Sequence, residues 1–290
     1  MTLAAERWPA YAGPAAGERR SSAWVVYRAE LLKISRLIQV RVMAVLAVIG
    51  PFLAVAVLHV QSATPGDTAF GQWVHSSGFA IPMVVLGFGA PWVGPVLTAI
   101  VAGDIFSSED RFGTWKTILT RSHSRGQLFT GKSLAALTFA LALLVLLTIT
   151  DFLAGLMAGT QPVVGLGGQL VPAGHAAALV VLSYLSDLPP LLGFTALALM
   201  LSVVSRNSVV GIGGPIVITL ALQVITLISL PAWVQLTLIS TPFQAWHGFW
   251  TQPAFYGEFR WGLLTSAAWF IICSTVSWLV VRRRAIGVAA

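Results

Sequence analysis

Apolar residues gather into six long runs along the chain, at 42–60, 79–103, 133–158, 175–204, 209–230 and 262–281, with polar, charged or glycine-rich stretches between them. A helix needs about 20 residues to cross a hydrocarbon core of about 30 Å. Each run is close to that length or beyond it, and none alternates like the shorter strands of a membrane barrel. The pattern predicts an all-α integral membrane protein with six transmembrane helices in one domain over 42–284. Before the first run, residues 24–41 (WVVYRAELLKISRLIQVR) set Trp24, Tyr27, Leu31, Ile34 and Ile38 on one helical stripe, with Glu30, Lys33 and Arg36 elsewhere. This predicts an amphipathic helix over 23–41 on the cytoplasmic membrane surface, the other arrangement being a cytoplasmic extension of the first span. Residues 1–22, rich in Ala, Gly and Pro and without a signal-like apolar core, read as a disordered tail, and 285–290 as a short C-terminal one.

Breaks within and after the runs are also legible. SDLPP at 186–190 places Pro189 and Pro190 inside the fourth run, which predicts a kink there, with Asp187 capping the restarted helix rather than binding substrate. The stretch 231–261 is long and divided by Pro231, Pro242 and Pro253. It carries Trp233, Phe243, Trp246, Phe249, Trp250, Phe255, Tyr256 and Trp261, which favours re-entrant or interfacial helices at headgroup level. Gly155 and Gly159 form a G-x-x-x-G pair suited to close helix contact, or simply mark a helix end.

Charge then orients the bundle. Only 9% of residues are charged, against roughly 25% in soluble proteins. The net charge of +7 forms no single basic face on a polar fold, so no nucleic acid partner is expected. With both termini cytoplasmic, sixteen of the seventeen Lys and Arg residues lie inside and only Arg260 outside. That is the arrangement of a multi-pass cell-membrane protein. Cys273, the single cysteine, falls in the last run and reads as a packing residue.

Three segments imitate parts of an ATPase. GQLFTGKS at 126–133 fits the phosphate-loop pattern G-x-x-x-x-G-K-[ST], LLTITD at 146–151 imitates a strand ending in a magnesium-binding aspartate, and GLGGQ at 165–169 resembles an ABC signature. A phosphate loop must be open and must follow a buried strand. Here Ser124 and Gln127 have capping-box spacing, which starts a helix and places both glycines within it. The second imitation lies inside a span and the third on the outer side, so the three cannot assemble. Lys132 reads instead as a positive anchor at a span's cytoplasmic end. The histidines are scattered, and neither H-E-x-x-H nor G-x-S-x-G occurs. The chain is not expected to be an enzyme or to hold a cofactor or metal.

The cytoplasmic segment GDIFSSEDRFGTWKTILTRSHSRGQLFTGK concentrates charge of both signs. Ser107 and Asp110 have a capping spacing, after which Phe112, Trp115, Ile118 and Leu119 can share an apolar helical face. Here the sequence resembles the integral-membrane permeases of ABC-2-type transporters, whose loop runs approximately E-x-x-x-G-T, an apolar stretch, P-x-S-R, a short apolar run and G-K. This chain supplies Glu109, Gly113, Thr114, Leu119, Ser124, Arg125, Gly131 and Lys132 in that order, with Ser122 where proline is common. The resemblance implies that the loop at 104–132 supplies a coupling helix seated on the ATPase, with Glu109, Arg111, Gly113, Thr114, Arg121, Arg125 and Lys132 as the coupling residues. It also implies cytoplasmic ABC ATPase subunits, a second permease subunit and export as the direction.

A secondary transporter would show an ionisable residue near mid-membrane. Asp151 and Asp187 are the candidates, each about 27 Å from the inner end of its span at 1.5 Å per residue. That places them toward an outer vestibule and disfavours an ion relay. A membrane scaffold is the third class. A path lined by apolar and small residues suits a hydrophobic or amphipathic substrate.

Overall fold

The computed structural model describes residues 22–61, 69–115, 124–226, 228 and 230–283. The chain is helical from α1 (Ala23–Arg36) through α2 (Ile38–Val60), α3 (Ala80–Gly89), α4 (Val93–Ala102), the short α5 (Ser107–Arg111) and α6 (Arg125–Ala158). A two-stranded hairpin follows, β1 (Val163–Val164) against β2 (Leu170–Val171). Then come α7 (Ala173–Ser186), α8 (Leu188–Ser205), α9 (Ser208–Thr226), α10 (Ala232–Gln235), a 3₁₀ segment at Thr241–Trp250, and α11 (Gly257–Arg283). Among the described residues, five helices are long and apolar enough to cross a membrane, counting Ala173–Ser205 as one; the pair Ala80–Gly89 and Val93–Arg111, bent by 50°, makes a sixth candidate. This is an all-α multi-pass membrane fold. Its centre is α8, which packs on α4, α6, α9 and α11.

Where the helices bend, a neighbour supplies the missing hydrogen bond. Pro51 inside α2 has no N–H for the Ala47 carbonyl four residues earlier, and Thr150 Oγ1 of α6 lies 2.9 Å from that oxygen. Between α3 and α4, Pro91 and Pro95 prevent a continuous ladder. The Pro91 carbonyl, which Pro95 cannot serve, accepts from Gln223 Nε2 at 3.2 Å. The second run is therefore broken rather than straight.

The segment read as one amphipathic helix over 23–41 is two elements. Leu37 is extended (φ −66°, ψ 130°), so 38–41 belong to α2. Only the middle of the expected stripe faces protein. Ile34 is buried with Val26, whereas Trp24 and Ile38 are exposed. The N-terminal tail, the 116–123 part of the charged loop and the C-terminal tail lie outside the described residues, apart from Ser22, whose hydroxyl caps α1 by accepting from Trp24 N at 3.2 Å.

At the end of the bundle away from α1, the aromatic stretch divides. Phe243, Trp246, Phe249 and Trp250 are buried in a cluster with Phe70 and Phe79, while Trp233, Phe255, Tyr256 and Trp261 are exposed. Half of the expected headgroup belt is thus a core plug. The GLGGQ segment forms the hairpin turn, and Leu166 N and Gln169 Nε2 both donate to the Trp250 carbonyl, at 2.8 and 2.9 Å. Gly155 and Gly159 perform both roles open to them. Gly159 ends α6, and the backbone of each is so near Gly78 that a Cβ on Gly78 has no room.

Candidate functional site

The E-x-x-x-G-T pattern has a direct geometric meaning. Helix α5 stops at Arg111, and Gly113 follows at φ +64°, a left-handed conformation that glycine adopts without the penalty a Cβ brings. Gly113 N donates to Asp110 O at 3.2 Å and Thr114 N to Glu109 O at 3.1 Å, the paired bonds of a Schellman motif. The Thr114 hydroxyl then turns back and donates to Glu109 Oε2. A six-residue turn, Glu109 to Thr114, thereby fixes one carboxylate.

That carboxylate meets Lys132 of α6, whose side chain is only 1% exposed. The Lys132 ammonium donates to Glu109 Oε1 at 2.9 Å, to Glu30 Oε1 of α1 at 2.7 Å and to the Ile105 carbonyl at 3.1 Å. Lys33 of α1 reaches the same Glu109 oxygen at 3.2 Å. Two ammonium groups and two carboxylates make a neutral cluster, which is how buried charge is tolerated. Phe106 lies beneath it, its ring centroid 5.9 Å from the Lys132 nitrogen. On the other side of α5, Phe106 N and Ser107 N donate to Ser202 Oγ of α8, at 3.3 and 3.1 Å. Ser107 does not cap α5 as its spacing suggested, because its hydroxyl donates to Gly103 O at 2.8 Å. The short helix is tied at once to α1, α6 and α8.

The phosphate-loop pattern is now accounted for. Ser124 and Gln127 form the capping box, and α6 runs from Arg125 through both glycines. At Gly131 an added Cβ would lie 2.7 Å from Val26 Cβ and 2.9 Å from the Ala23 carbonyl, so this glycine lets α1 lie against α6. Lys132 is the hub of the charge cluster rather than a surface anchor, with no donor left facing solvent. Gly131→Leu is expected to lever α1 outward at a cost of about 1–3 kcal/mol. The measurement is thermal unfolding together with cross-linking of cysteines placed at Tyr27 and Thr138, whose hydroxyls are 3.1 Å apart; undiminished cross-linking in the Gly131→Leu background would contradict it.

The remaining loop residues are spread out. Arg111 is half exposed, 3.7 Å from Asp104 and stacked over Phe112, which is 69% exposed. Arg125 is apart from the cluster and donates to the Arg282 carbonyl near the end of α11 at 2.7 Å. Arg121 lies outside the described residues. Sequence reasoning missed Glu30, Lys33 and Ser202. Glu30 and Lys33 stand one helical turn apart beside the membrane, a signal that gave their helix but not their partner.

Asp151 and Asp187, read from the sequence as lining an outer vestibule, come together in the structure. Both are buried, at 3% and 2% exposure, and line one cavity of about 260 Å³ with Tyr184. Thr150, beside Asp151, is level with Ala47, near the middle of α2. Asp187 sits at the N-cap position of α8 yet makes no side-chain cap bond. The cap would need N–H groups at the second or third helical residue, and those are Pro189 and Pro190.

Residues 26–224 match the family described as ABC-2 family transporter protein, and the chain belongs to that family. It is also similar to the uncharacterized protein YhcI of Bacillus subtilis (strain 168), 29% identical over 168 residues, 54% of this chain and 50% of the relative. The chain thus spans about half the length of that curated relative.

Proposed function

We propose that this chain is the permease subunit of an ABC exporter in the cell membrane, with both termini cytoplasmic. It pairs with a second permease subunit, and ATP is hydrolysed on separate cytoplasmic subunits. The cargo is hydrophobic or amphipathic. The observation that carries the reading is the bracing of α5, which presents Phe112 and Arg111 outward while Glu109 and Ser107 N bind it inward to α1, α6 and α8. An ATPase groove gripping Phe112 and Arg111 would move α5, and these bonds would carry the displacement into three helices together. Glu109, Gly113, Thr114 and Lys132 brace the coupling element in this scheme. Arg111 contacts the ATPase, and Arg121 and Arg125 extend the contact surface.

Arg111→Glu combined with Phe112→Ala is expected to lower recovery of the ATPase with the tagged permease by about tenfold or more. Membrane insertion should be intact and ATP-dependent transport lost. Recovery and transport equal to wild type would sink the assignment. The burial of Asp151 and Asp187 also suits an ion-coupled carrier, and transport driven by an ion gradient without ATP would favour that second reading.

A further inference from the structure

We propose that the cavity holding Asp151 and Asp187 is a binding site for a hydrophobic organic cation, whose ammonium group is received by the two carboxyl groups and whose apolar part lies along α2, α4 and α6. This rests on the permease reading and names the substrate class of its path. Asp187 is the decisive residue. Both of its carboxyl oxygens are buried and have no hydrogen-bond partner, as is Oδ1 of Asp151. The local structural task open to Asp187, capping α8, is removed by the two prolines that follow it. Among the described residues the cavity lining includes no Lys, Arg or His, so none of them brings a counter-charge to it.

The remaining wall selects what can supply that charge. Leu46, Leu86, Leu97, Leu144 and Phe243 line the space, so an occupant needs apolar surface as well as positive charge. A hard metal ion is poorly matched, since it requires six or more oxygen ligands, and no group of three or more metal-ligating side chains occurs among the described residues. Tyr184 orients the site. Its hydroxyl donates to the Pro82 carbonyl at 3.0 Å, which fixes the ring at the cavity wall.

An apolar cavity of about 150 Å³ holds benzene, so about 260 Å³ holds roughly ten non-hydrogen atoms, the size of an eight-carbon ammonium. Leu46 of α2 and Val93 of α4 line the space and are themselves exposed at 60% and 44%, so these two helices form its outer wall.

The experiment uses the full chain in lipid nanodiscs, photolabelled with a diazirine-bearing octylammonium or with the corresponding octanol, and maps the labelled positions. In wild type the amine is expected to label the cavity wall about tenfold or more above the alcohol, the difference a charge-assisted hydrogen bond makes. Asp187→Asn should abolish that excess, and Asp151→Asn should reduce it. Equal wall labelling by amine and alcohol in wild type overturns the site without recourse to any variant. So does full amine labelling in Asp187→Asn. Labelling needs no ATPase, so absent amine selectivity with intact ATPase recovery sinks only the cation site. Selective labelling without ATPase recovery sinks only the coupling scheme.

Discussion

Lys132→Met is expected to destabilise the chain by about 3–5 kcal/mol, the cost of removing one partner from a buried charge cluster. Methionine approximates the lysine stem in length, so the change isolates the ammonium. Its loss leaves Glu30 and Glu109 facing each other with Lys33 bonded only to Glu109, and strips the Ile105 carbonyl of its donor. Unfolding in nanodiscs, followed by tryptophan fluorescence, reads the effect. Adding Glu30→Gln and Glu109→Gln to Lys132→Met should recover part of the loss, because the stranded negative charge is then gone. A shift below about 1 kcal/mol, the range of a surface pair, would mean that the ammonium is solvated in the native state.

Trp250→Ala is the second large effect, expected at about 3–5 kcal/mol. Trp250 is fully buried, edge-on to Phe70 at 4.8 Å, and its indole N–H donates to Ser183 Oγ of α7 at 3.0 Å. Its carbonyl would still receive Leu166 and Gln169 after the change, so the loss measures packing and the indole bond. Trp250→Phe keeps most of the volume and should cost about 1 kcal/mol, mainly for the lost indole bond, since the Ser183 hydroxyl still donates to the Leu179 carbonyl at 2.7 Å. If Trp250→Ala unfolded like wild type, the aromatic stretch would be a surface belt after all.

The long helices were readable because hydrocarbon imposes length and apolarity together, and the start of α6 was readable because Ser124 and Gln127 complete a local cap. Both are local signals. The break at Leu37 was not, since nothing about leucine opposes a helix and tertiary docking of α1 on α6 decides the point. Aromatic density in 231–261 looked like an interface because composition cannot tell Trp250, seated between Phe70 and Ser183, from Trp233, which is 73% exposed. The candidate site divided in the same way. The turn residues Glu109, Gly113 and Thr114 lie within six positions and announce themselves. Their partners Glu30, Lys33 and Lys132 come from other helices, and no spacing rule joins them. Depth along a span placed Asp151 and Asp187 near a surface, but distance along a helix carries no information about what packs around it.

The order in which the charged residues are synthesised is itself favourable. Glu30, Lys33 and Glu109 all precede Lys132 in the chain, separated from it by as many as 102 residues. Both carboxylates that pair with Lys132 have therefore been synthesised, with Lys33, when Lys132 appears. The carboxylates wait in water, where waiting is cheap, and the lysine arrives last, with the start of α6. The N-terminal half can therefore close its charge cluster before α7 to α11 have been made.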